Sequence, residues 1–496
     1  MNLFDALLIP AELMPDAPAL ADADGTLTYA ELGGGVAAVA AGLTERGLGP
    51  GATVATMQAF SPDFVALLFA TLAIGARIAP LNARMKADEL VAVVERLAPD
   101  LLVVDERYAG VADDAVDRLA APPEVLPAGR PRAAAEWPLE PVEVDPDADA
   151  ILLHTSGTTG LPKPVRLSHL GLMSTLLRTA NPPDGTPRGA TVLAAPDHHV
   201  AGLSGLLNNI FGGRRVELLP AFTAADWLRR VEGSGAEHAF VVPTMLHRIL
   251  DDPGFAETDL GSLRVLAYGA APMPARVIKE ALERFPATTG FVGSYGQTET
   301  GGTVCVLGVE DHEAARRGDP EGLARLASIG RPLEGTELAI VDEAGQPVGP
   351  GVDGEIAVRF DPAEPWRATG DLGRVDSGGY VFLSSRRDDL IIRGGENIDP
   401  AEVEAVLDSH PAVAEVAVVG LPDDEWGQVV AAFVVRRGDA ELDPDDLIAH
   451  GKRSLASFKA PSEVRIVAAL PRTALGKVRR RDLTASTTLE SPGRIS

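Results

Sequence analysis

Residues Leu153 to Lys163 combine hydroxyl groups, glycines and one lysine in the order LHTSGTTGLPK. Four hydroxyl side chains and two glycines fall within six residues, directly after the apolar run Ile151–Leu153. Such a loop lets backbone N–H and side-chain O–H groups converge on phosphate oxygens, while Lys163 adds a positive charge. The spacing does not match a Walker A loop. The residues predicted to bind phosphate are Thr155, Ser156, Gly157, Thr158, Thr159, Gly160 and Lys163.

The alternative for this loop is a flexible turn rich in Ser, Thr and Gly. The chain has only six lysines against 38 arginines. A lysine inside such a loop therefore favours the phosphate-binding interpretation.

A second polar segment runs from Tyr295 to Glu299, with the sequence YGQTE. Its flat ring could stack on a base, its hydroxyl could contact a phosphate, and its carboxylate could bind Mg²⁺. Hard cations prefer oxygen ligands and often bind through one carboxylate plus substrate phosphates. Taken alone, the segment could equally be a solvated turn.

Two further residues, Asp371 and Lys477, suit nucleotide chemistry. Asp371 lies between Gly370 and Gly373, so it is an acceptor on a tight turn that could bind a vicinal diol, although a turn Asp bonding its own backbone is the alternative. Lys477 follows Gly476 in a segment without helical periodicity, where it could stabilise charge that develops between a carboxylate and a triphosphate. A solvated lysine is the alternative there.

Composition limits the class of protein that could present these groups. The 496 residues hold 44 basic and 71 acidic side chains, a net charge of −27, which argues against binding nucleic acid polymers or anionic membranes. The start lacks a basic flank followed by an apolar run, and no apolar stretch is long enough to span a membrane, so we expect a soluble, cytoplasmic protein. The one cysteine, Cys305, excludes intrachain disulfides and is expected to be buried.

The distribution of basic residues is uneven. Nine basic residues and a single acidic one, Glu463, lie between Lys452 and Arg481, so these 30 residues carry a charge of +8. The pattern indicates a segment that meets an anionic group.

The elements that must position these residues alternate in type. Short β-branched runs such as Val54–Met57 and Leu101–Val104 alternate with Ala- and Leu-rich helical stretches such as Asp63–Ile74 and Ala87–Leu97. This alternation predicts an α/β fold with largely parallel sheets. After Arg387, a helix opening at Pro400, two strands, a second helix and a closing strand predict a small α+β domain.

With these motifs, the chain resembles the adenylate-forming enzymes, which include acyl-CoA synthetases, firefly luciferase and the adenylation domains of nonribosomal peptide synthetases. The resemblance extends in order along almost the whole chain and is strongest to acyl-CoA synthetases. Besides the loop at 153–163, the matching segments are PTML at 243–246, YGAAP at 268–272, YGQTE at 295–299, TGDLG at 369–373, residues 386–400, and PRTALGK at 471–477.

The resemblance implies a large N-terminal α/β domain of several subdomains, residues 1–387, and a small mobile C-terminal domain, residues 388–496. It assigns Lys477 to catalysis of adenylation, Glu299 to the metal, Thr298 to phosphate and Asp371 to the ribose, with Arg386 as a second ribose or phosphate contact. Further ATP- or AMP-binding residues implied by the resemblance are Gly269, Ala270, Ala271, Ser294, Tyr295 and Gly296.

The resemblance also implies how two half-reactions share one enzyme. Asp388 matches the pivot between the domains, and Gly394 and Gly395 match a loop that lines the thiol tunnel after rotation. His199 matches a catalytic position at the mouth of the acyl pocket, where amino-acid-activating relatives carry an Asp, which argues against an amino-acid substrate. The other implied pocket residues are Val200, Leu203, Ser204, Val241, Val242, Ala267 and Gly293.

Three residues depart from the family pattern. Pro164 and Ser385 replace glycines of the family pattern, so loop geometry or rate should differ without the loss of a reacting group. His198 replaces the usual Phe. Adjacent histidines rarely share a metal on one element, and no third ligand is evident, so a metal site at His198 and His199 is not favoured.

The sequence therefore predicts an ATP- and Mg²⁺-dependent acyl-CoA synthetase that forms an acyl-AMP intermediate from a hydrophobic or aromatic acid. The predicted partners are a carboxylic acid, ATP and CoA. The nearest alternative is a stand-alone enzyme that loads the acyl group onto the phosphopantetheine of a carrier protein. A light-emitting oxygenase and a non-catalytic binding protein are less favoured, because nothing indicates O₂ chemistry and every expected reacting group is present.

Overall fold

Two units make up the part of the chain that can be described. The computed structural model describes residues 1–129, 137–155, 163–386, 389–394, 396–423, 426–438, 440–473 and 476–487. Unit 1 is Met1–Leu326 and unit 2 is Ala327–Ser496. The predicted domain boundary at 387/388 falls inside unit 2, on residues outside the described ranges, and stays a prediction.

Unit 1 is built from alternating strands and helices. Its helices are α1 (Asp5–Leu13), α2 (Tyr29–Glu45), α3 (Pro62–Ala73), α4 (Ala87–Leu97), α5 (Ala109–Val116), α6 (His169–Thr179), α7 (Val200–Phe211), α8 (Ala224–Ser234), α9 (Pro243–Asp251), α10 (Ala275–Arg284), α11 (Val309–Arg316) and α12 (Pro320–Arg325). Short 3₁₀ turns lie at Glu106–Tyr108 and Pro253–Ala256.

The strands of unit 1 are β1 (Pro18–Ala21), β2 (Thr26–Thr28), β3 (Thr53–Met57), β4 (Arg77–Pro80), β5 (Leu101–Val104), β6 (Glu124–Pro127), β7 (Asp149–Thr155), β8 (Lys163–Ser168), β9 (Arg188–Leu193), β10 (Arg214–Leu218), β11 (His238–Val241), β12 (Val265–Gly269), β13 (Gly290–Gln297) and β14 (Gly302–Leu307). The predicted α/β class is confirmed by this element order.

Two largely parallel sheets organise these strands. The first has the order β14-β13-β12-β11-β9-β10-β1-β2, and the second has the order β6-β5-β3-β4-β7-β8. Antiparallel pairs occur where β13 meets β14, β1 meets β2 and β7 meets β8. Every residue of β3 and of β5 is buried, as expected of parallel strands covered on both faces by helices.

Local sequence signals account for the helix starts of unit 1. Thr28 and Glu31 form a capping box at the start of α2, and the Ser61 hydroxyl accepts a hydrogen bond from the Phe64 N–H at the start of α3. Pro62 takes the first position of α3, where no N–H is needed. The described helices are too short or too polar to cross a lipid bilayer.

Unit 2 contains smaller, mostly antiparallel sheets. Its strands are β15 (Arg331–Pro332), β16 (Glu337–Val341), β17 (Gly354–Arg359), β18 (Arg367–Val375), β19 (Val381–Arg386), β20 (Ile391–Arg393), β21 (Glu396–Ile398), β22 (Val413–Asp423), β23 (Gly427–Arg436) and β24 (Glu463–Ile466). Its helices are α13 (Pro400–Asp408), α14 (Pro444–Ser454) and α15 (Arg480–Thr487).

One sheet of unit 2 has the antiparallel order β16-β17-β18-β19, and the other has the order β21-β20-β23-β22 with β24 parallel to β23. The element order predicted after Arg387 is confirmed, with α13 beginning at Pro400 as expected. Helix α15 continues through Thr487, because Leu483 is buried against β22 and β23 and anchors the helix. Residues 488–496 lie outside the described ranges.

The buried ring of Phe291 gives a test of the packing behind β13. It is inaccessible to solvent and meets Phe285 edge to face at 5.6 Å between ring centroids. We expect Phe291→Ala to lower the free energy of unfolding by about 3–5 kcal/mol, since a cavity replaces the ring. Urea denaturation measures this change. Leu177→Ala, at an exposed position on α6, is the control and should stay within about 0.5 kcal/mol of the parent. A loss below about 1 kcal/mol for Phe291→Ala would contradict the packing.

Candidate active site

The hydroxyl-rich loop connects two neighbouring antiparallel strands, β7 and β8. Thr155 pairs with Lys163, and His154 pairs with Pro164. Pro164 therefore lies on the edge strand of its sheet, where a missing N–H donor is tolerated. The predicted phosphate contacts Ser156, Gly157, Thr158, Thr159 and Gly160 lie outside the described residues, as do the side chains of Thr155 and Lys163.

Four parallel strands bring most of the other unit 1 candidates to one edge. In β9, β11, β12 and β13 the chain runs in the same direction, so their carboxyl ends meet at the same side of the sheet. The segments that follow these ends are 194–199, Val242, Ala270–Pro272 and Thr298–Glu299. Ligands of α/β sheets bind at this edge.

The ends of β12 and β13 are in close contact. Gly269 pairs with Ser294, whose hydroxyl donates to the Tyr268 carbonyl at 3.1 Å. Ala270 has φ +67°, a left-handed conformation that is uncommon for a residue with a side chain. Such strained residues cluster at ligand sites. Tyr295 is buried, with 9% of its surface exposed.

Strand register separates the predicted acyl-pocket residues into two groups. Ala267 aligns with Phe240, which aligns with Leu193, and α7 packs on the face of the sheet that carries Leu193. Ala267 therefore shares a face with the α7 residues Leu203 and Ser204.

Val241 and Gly293 align with Tyr268 on the opposite face. The Tyr268 hydroxyl bonds there to His312 at 2.8 Å, and burial raises the pKa of Tyr268. Val242 follows the end of β11 and is buried, and Val200 is half-buried at the start of α7. The register thus brings Ala267, Leu203 and Ser204 together and leaves Val241 and Gly293 behind the sheet.

The turn after β13 carries Thr298 and Glu299. The Gly301 N–H donates to the Thr298 carbonyl at 3.0 Å, and the Gln297 N–H donates to the Thr300 hydroxyl at 3.0 Å. Thr298 is half-buried, whereas Glu299 is exposed. This exposed carboxylate fits a Mg²⁺ ion that takes most of its ligands from phosphates and water.

A polar cluster follows β9 and leads into α7. The His198 Nδ1 lies 3.2 Å from Asp197 Oδ1, and the His198 and His199 rings are in contact, with centroids 4.3 Å apart and planes tilted by 45°. Burial, together with the neighbouring His198, lowers the pKa of His199 to about 3. His199 is therefore neutral near pH 7, so it acts there as an uncharged hydrogen-bonding group.

In unit 2, Asp371 and Arg386 pair across β18 and β19. They are register partners, and the Arg386 Nε lies 3.0 Å from Asp371 Oδ1. Lys477 is close enough for both charges to act on it. Desolvation and the Arg386 guanidinium lower the pKa of Lys477, whereas Asp371 and Asp389 oppose that shift, although part of the lysine side chain remains exposed.

A tight turn presents Lys477. Arg472 and Val478 form a bridge that closes it, and the Thr473 N–H donates to the Lys477 carbonyl at 2.8 Å. Arg472 also pairs with Glu415 at 3.0 Å, which ties the turn to β22. Ala474 and Leu475 lie outside the described ranges. The sequence had indicated only a segment without helical periodicity here.

The basic stretch from Lys452 to Arg481 is largely neutralised. Among the residues that the structure describes, five of its nine cations form ion pairs, which are Lys459–Glu402, Arg465–Glu463, Arg472–Glu415, Arg479–Asp482 and Arg480–Glu404. Three of these acidic partners precede the stretch and one follows it, so counting charges within the stretch overestimates its positive field.

Sequence reasoning missed Arg480 as a positioning residue. Its guanidinium holds both carboxylate oxygens of Glu404, donates to the Val418 carbonyl and lies 3.6 Å from Asp389. Burial alone would lower the pKa of Arg480, but the Glu404 carboxylate and the neighbouring acidic residues outweigh it, so the pKa of Arg480 is raised. The only signal was a run of three arginines, which a solvated surface would also produce.

The predicted thiol-tunnel segment contacts an exposed tryptophan that sequence reasoning also missed. Gly394 has φ +59° and donates its N–H to the Trp426 carbonyl at 2.8 Å. A Cβ at position 394 would come within 2.9 Å of the Trp426 ring. Gly395 and the predicted pivot Asp388 lie outside the described residues, so the structure says nothing of them.

Two family models and several known proteins match this chain. The family model described as AMP-binding enzyme matches residues 10–361, and the model of its C-terminal domain matches residues 402–477. A fatty acid–acyl-carrier-protein ligase, ScoC of Streptomyces coeruleorubidus, is 33% identical over 95% of this chain and 94% of its own. Feruloyl-CoA synthase of an Amycolatopsis species is 35% identical over 94% of this chain and 95% of its own.

Among solved structures, the o-succinylbenzoate CoA synthetase of Bacillus subtilis, in complex with its acyl-adenylate intermediate, superposes with a TM-score of 0.83. It is 28% identical and covers 100% of this chain and 99% of its own. This chain is thus similar over its whole length to enzymes whose names specify acids and thiol acceptors.

The depressed pKa of His199 predicts how stability depends on pH. Unfolding returns His199 to an ordinary value near 6.5, so between about pH 6.5 and 3 the unfolded chain binds a proton that the folded chain does not. The free energy of unfolding should therefore fall as the pH falls. His199→Asn should reduce this slope by up to one proton, about 1.4 kcal/mol per pH unit. Urea denaturation from pH 8 to 5 measures it.

Above about pH 7.5 His199 is neutral in both states, so this range is the internal control. There the difference in stability between parent and His199→Asn should not change with pH. Equal slopes for the two proteins between pH 6.5 and 5 would contradict the burial of a neutral His199.

Proposed function

The chain belongs to the AMP-binding enzyme family, and on that premise we propose that it joins a carboxylic acid to CoA at the expense of ATP. The acid would attack the α-phosphorus of ATP, giving acyl-AMP and pyrophosphate, and the thiol of CoA would then displace AMP. The observation that carries the proposal is the Asp371–Arg386 pair in unit 2, whose charges act on Lys477.

These three residues suit the first half-reaction. The carboxylate of Asp371 can accept hydrogen bonds from a ribose diol, and Arg386, already held at 3.0 Å from it, can contact the ribose or a phosphate. Lys477 presents a cation where a carboxylate and a triphosphate would otherwise repel. Preorganised charge of this kind lowers the barrier because it needs no rearrangement during the reaction.

We assign the remaining nucleotide contacts to unit 1. The hydroxyl-rich loop after β7, with Lys163, would bind phosphate, and the backbone from Gly269 to Ala271 with Ser294, Tyr295 and Gly296 would hold the adenosine. Thr298 would contact a phosphate. Glu299 would hold Mg²⁺, which supplies charge neutralisation to the phosphates when it is bound.

The acid is proposed to be hydrophobic or aromatic. Ala267, Leu203 and Ser204 lie on the α7 face of the sheet, and His199 stands at the start of α7. Pockets of mostly apolar lining with a few polar groups select apolar ligands and orient them. Similar enzymes are named for aromatic acids, including the feruloyl-CoA synthase and an indoleacetate–CoA ligase.

The second half-reaction requires Lys477 to leave. Because the charges of Asp371 and Arg386 act on Lys477 in this structure, a rotation about Asp388 would separate the lysine from them and open the acyl phosphate to a thiol. The segment of Gly394 and Gly395 would then line the path of the thiol. With ATP and CoA as substrates, we propose a cytoplasmic location.

A carrier protein is the second candidate for the acceptor, because ScoC, which is similar over almost the whole chain, is named for one. Pyrophosphate release should be measured with ATP, Mg²⁺ and a panel of fatty, aryl, terpenoid and amino acids. CoA or a phosphopantetheinylated carrier protein is then added, and the acyl product is identified. Acyl transfer to the carrier protein alone would contradict the CoA assignment, and the absence of pyrophosphate with every acid would contradict the family activity.

Replacing the lysine tests the division between the two half-reactions. We expect Lys477→Ala to slow acyl-AMP formation by roughly 10²–10³, because one preorganised charge is lost. Thioester formation from supplied acyl-AMP should stay within a few-fold of the parent. Lys452→Ala, at an exposed position on α14, is the control and should alter neither rate. Adenylation by Lys477→Ala at the parent rate would refute the assigned role.

Replacing Gly394 tests the thiol path. A Cβ there would press on the Trp426 ring and displace the segment, so Gly394→Ala should slow thioester formation by roughly 10–10²-fold while pyrophosphate release is unchanged. Gly438→Ala is a matched control, because Gly438 also has positive φ, +55°, but a Cβ there meets no atom within 4 Å. If Gly394→Ala and Gly438→Ala slow thioester formation equally, backbone strain alone explains the loss. The assignment of Gly394 to the thiol tunnel would then fail.

A further inference from the structure

Three consecutive side chains at the start of α7 bury polar atoms without hydrogen-bond partners. These atoms are Asp197 Oδ2, His198 Nε2 and His199 Nε2, and none of them meets a partner in the part of the chain that the structure describes. Asp197 is 4% exposed and His198 is 9% exposed, so bulk water does not compensate them. Buried polar groups are nearly always satisfied, so three such atoms in three residues require an explanation.

The cluster is held firmly in place. It lies between the end of β9 and the first turn of α7, at the same carboxyl edge as the other candidate residues. Gly202 packs against the preceding segment so closely that a Cβ would fall 2.1 Å from the Pro196 carbonyl oxygen. The backbone on both sides of the three residues is therefore closely packed. A shift of this segment that would give the three atoms hydrogen-bond partners is opposed by that packing.

Buried apolar residues lie in the chain on both sides of the cluster. Leu203, one turn into α7, donates its backbone N–H to the His199 carbonyl at 3.1 Å and is 2% exposed, and Leu193 at the end of β9 is equally buried. Polar groups beside apolar side chains are the arrangement that fixes the orientation of a ligand. Val200 and Ser204, in the first two turns of α7, are half-buried.

The donor and acceptor chemistry of the cluster is defined by the Asp197–His198 contact. The Asp197 Oδ1 accepts from His198 Nδ1 at 3.2 Å, which places the His198 proton on Nδ1. In the neutral imidazole, Nε2 is then an acceptor. Asp197 Oδ2 is a second acceptor, and burial keeps His199 uncharged. The set therefore offers acceptors to a group that donates.

We propose that the acid activated by this enzyme carries a hydrogen-bond donor, a hydroxyl or an amino group, on its acyl part, and that His198 Nε2 and Asp197 Oδ2 accept from it. This inference rests on the proposed function and narrows its substrate class from apolar acids in general to acids with a polar substituent. His198 is then a specificity-determining residue, and Asp197 positions it by fixing its tautomer.

The test compares acids that differ in a single substituent. Pyrophosphate release gives kcat/KM for benzoate, for the three hydroxybenzoates, for the three aminobenzoates and for the matched methoxybenzoates, with hexanoate and 6-hydroxyhexanoate as an aliphatic pair. For at least one hydroxyl- or amino-substituted acid, kcat/KM should exceed the values for the methoxy-substituted and the unsubstituted acid by about tenfold or more. Those two analogues leave the acceptors of the cluster unpaired. Comparison of the hydroxybenzoates with the aminobenzoates shows whether the donor is a hydroxyl or an amino group.

Variants assign the effect to the cluster. In His198→Phe, kcat/KM for the hydroxyl- or amino-substituted acid should be close to kcat/KM for the unsubstituted acid, so that their ratio is near one. Asp197→Asn should place an amide N–H₂ where Oδ2 was, so preference should shift towards the methoxy acid, which accepts but does not donate. His238→Phe is the matched control, since His238 opens β11 at the opposite edge of the same sheet. Circular dichroism and melting temperature verify that each variant is folded.

The outcomes separate the two proposals. Pyrophosphate release that never depends on a donor substituent, or a preference that His198→Phe leaves intact, would overturn this inference and leave the adenylating activity standing. If a water molecule satisfies the three atoms, pyrophosphate release will likewise not depend on a donor substituent. If no acid releases pyrophosphate, the proposed function itself fails, whatever the variants do.

Discussion

The parallel direction of β9, β11, β12 and β13 is the constraint on which the candidate site of unit 1 depends. Parallel strands require crossover connections, so each strand re-enters the sheet from the same side and ends at the same edge. His199 and Glu299, which are 100 residues apart in the chain, consequently follow strands that finish together. Hydrogen-bond register then decides which side chains share a face, as it does for Ala267 with Leu193.

A second constraint operates in unit 2, where charges rather than strand direction set positions. Arg480 holds Glu404, the Val418 carbonyl and Asp389, so the start of α15, the helix α13 and the residue after the predicted pivot are tied to one guanidinium. A cation that is partly removed from water is stable only when its surroundings supply compensating acceptors, and for the half-buried Arg480 they come from three separate segments. The turn that bears Lys477 leads directly into this cluster.

Much of the fold followed from sequence because its signals were local. Runs such as Leu101–Val104 and Ala87–Leu97 became β5 and α4 with the expected bounds, since burial and helical periodicity act over a few residues. The features that escaped were non-local. Charge counting between Lys452 and Arg481 missed acidic partners elsewhere in the chain, and the separation of Ala267 from Gly293 required knowledge of strand register. The roles of individual site residues came from resemblance, because a Thr or Lys in a turn has no local signature of its ligand.

The tight approach of Gly202 to the Pro196 carbonyl has a consequence for how such an enzyme changes its preference over time. Any side chain at position 202 would collide with the backbone, so that position offers no route to variation. Residues 197–199 lie on a backbone that is fixed before them and after them. Selection can therefore exchange their side chains one at a time while the scaffold stays where it is, and new acids become accessible by point substitution rather than by rebuilding a loop.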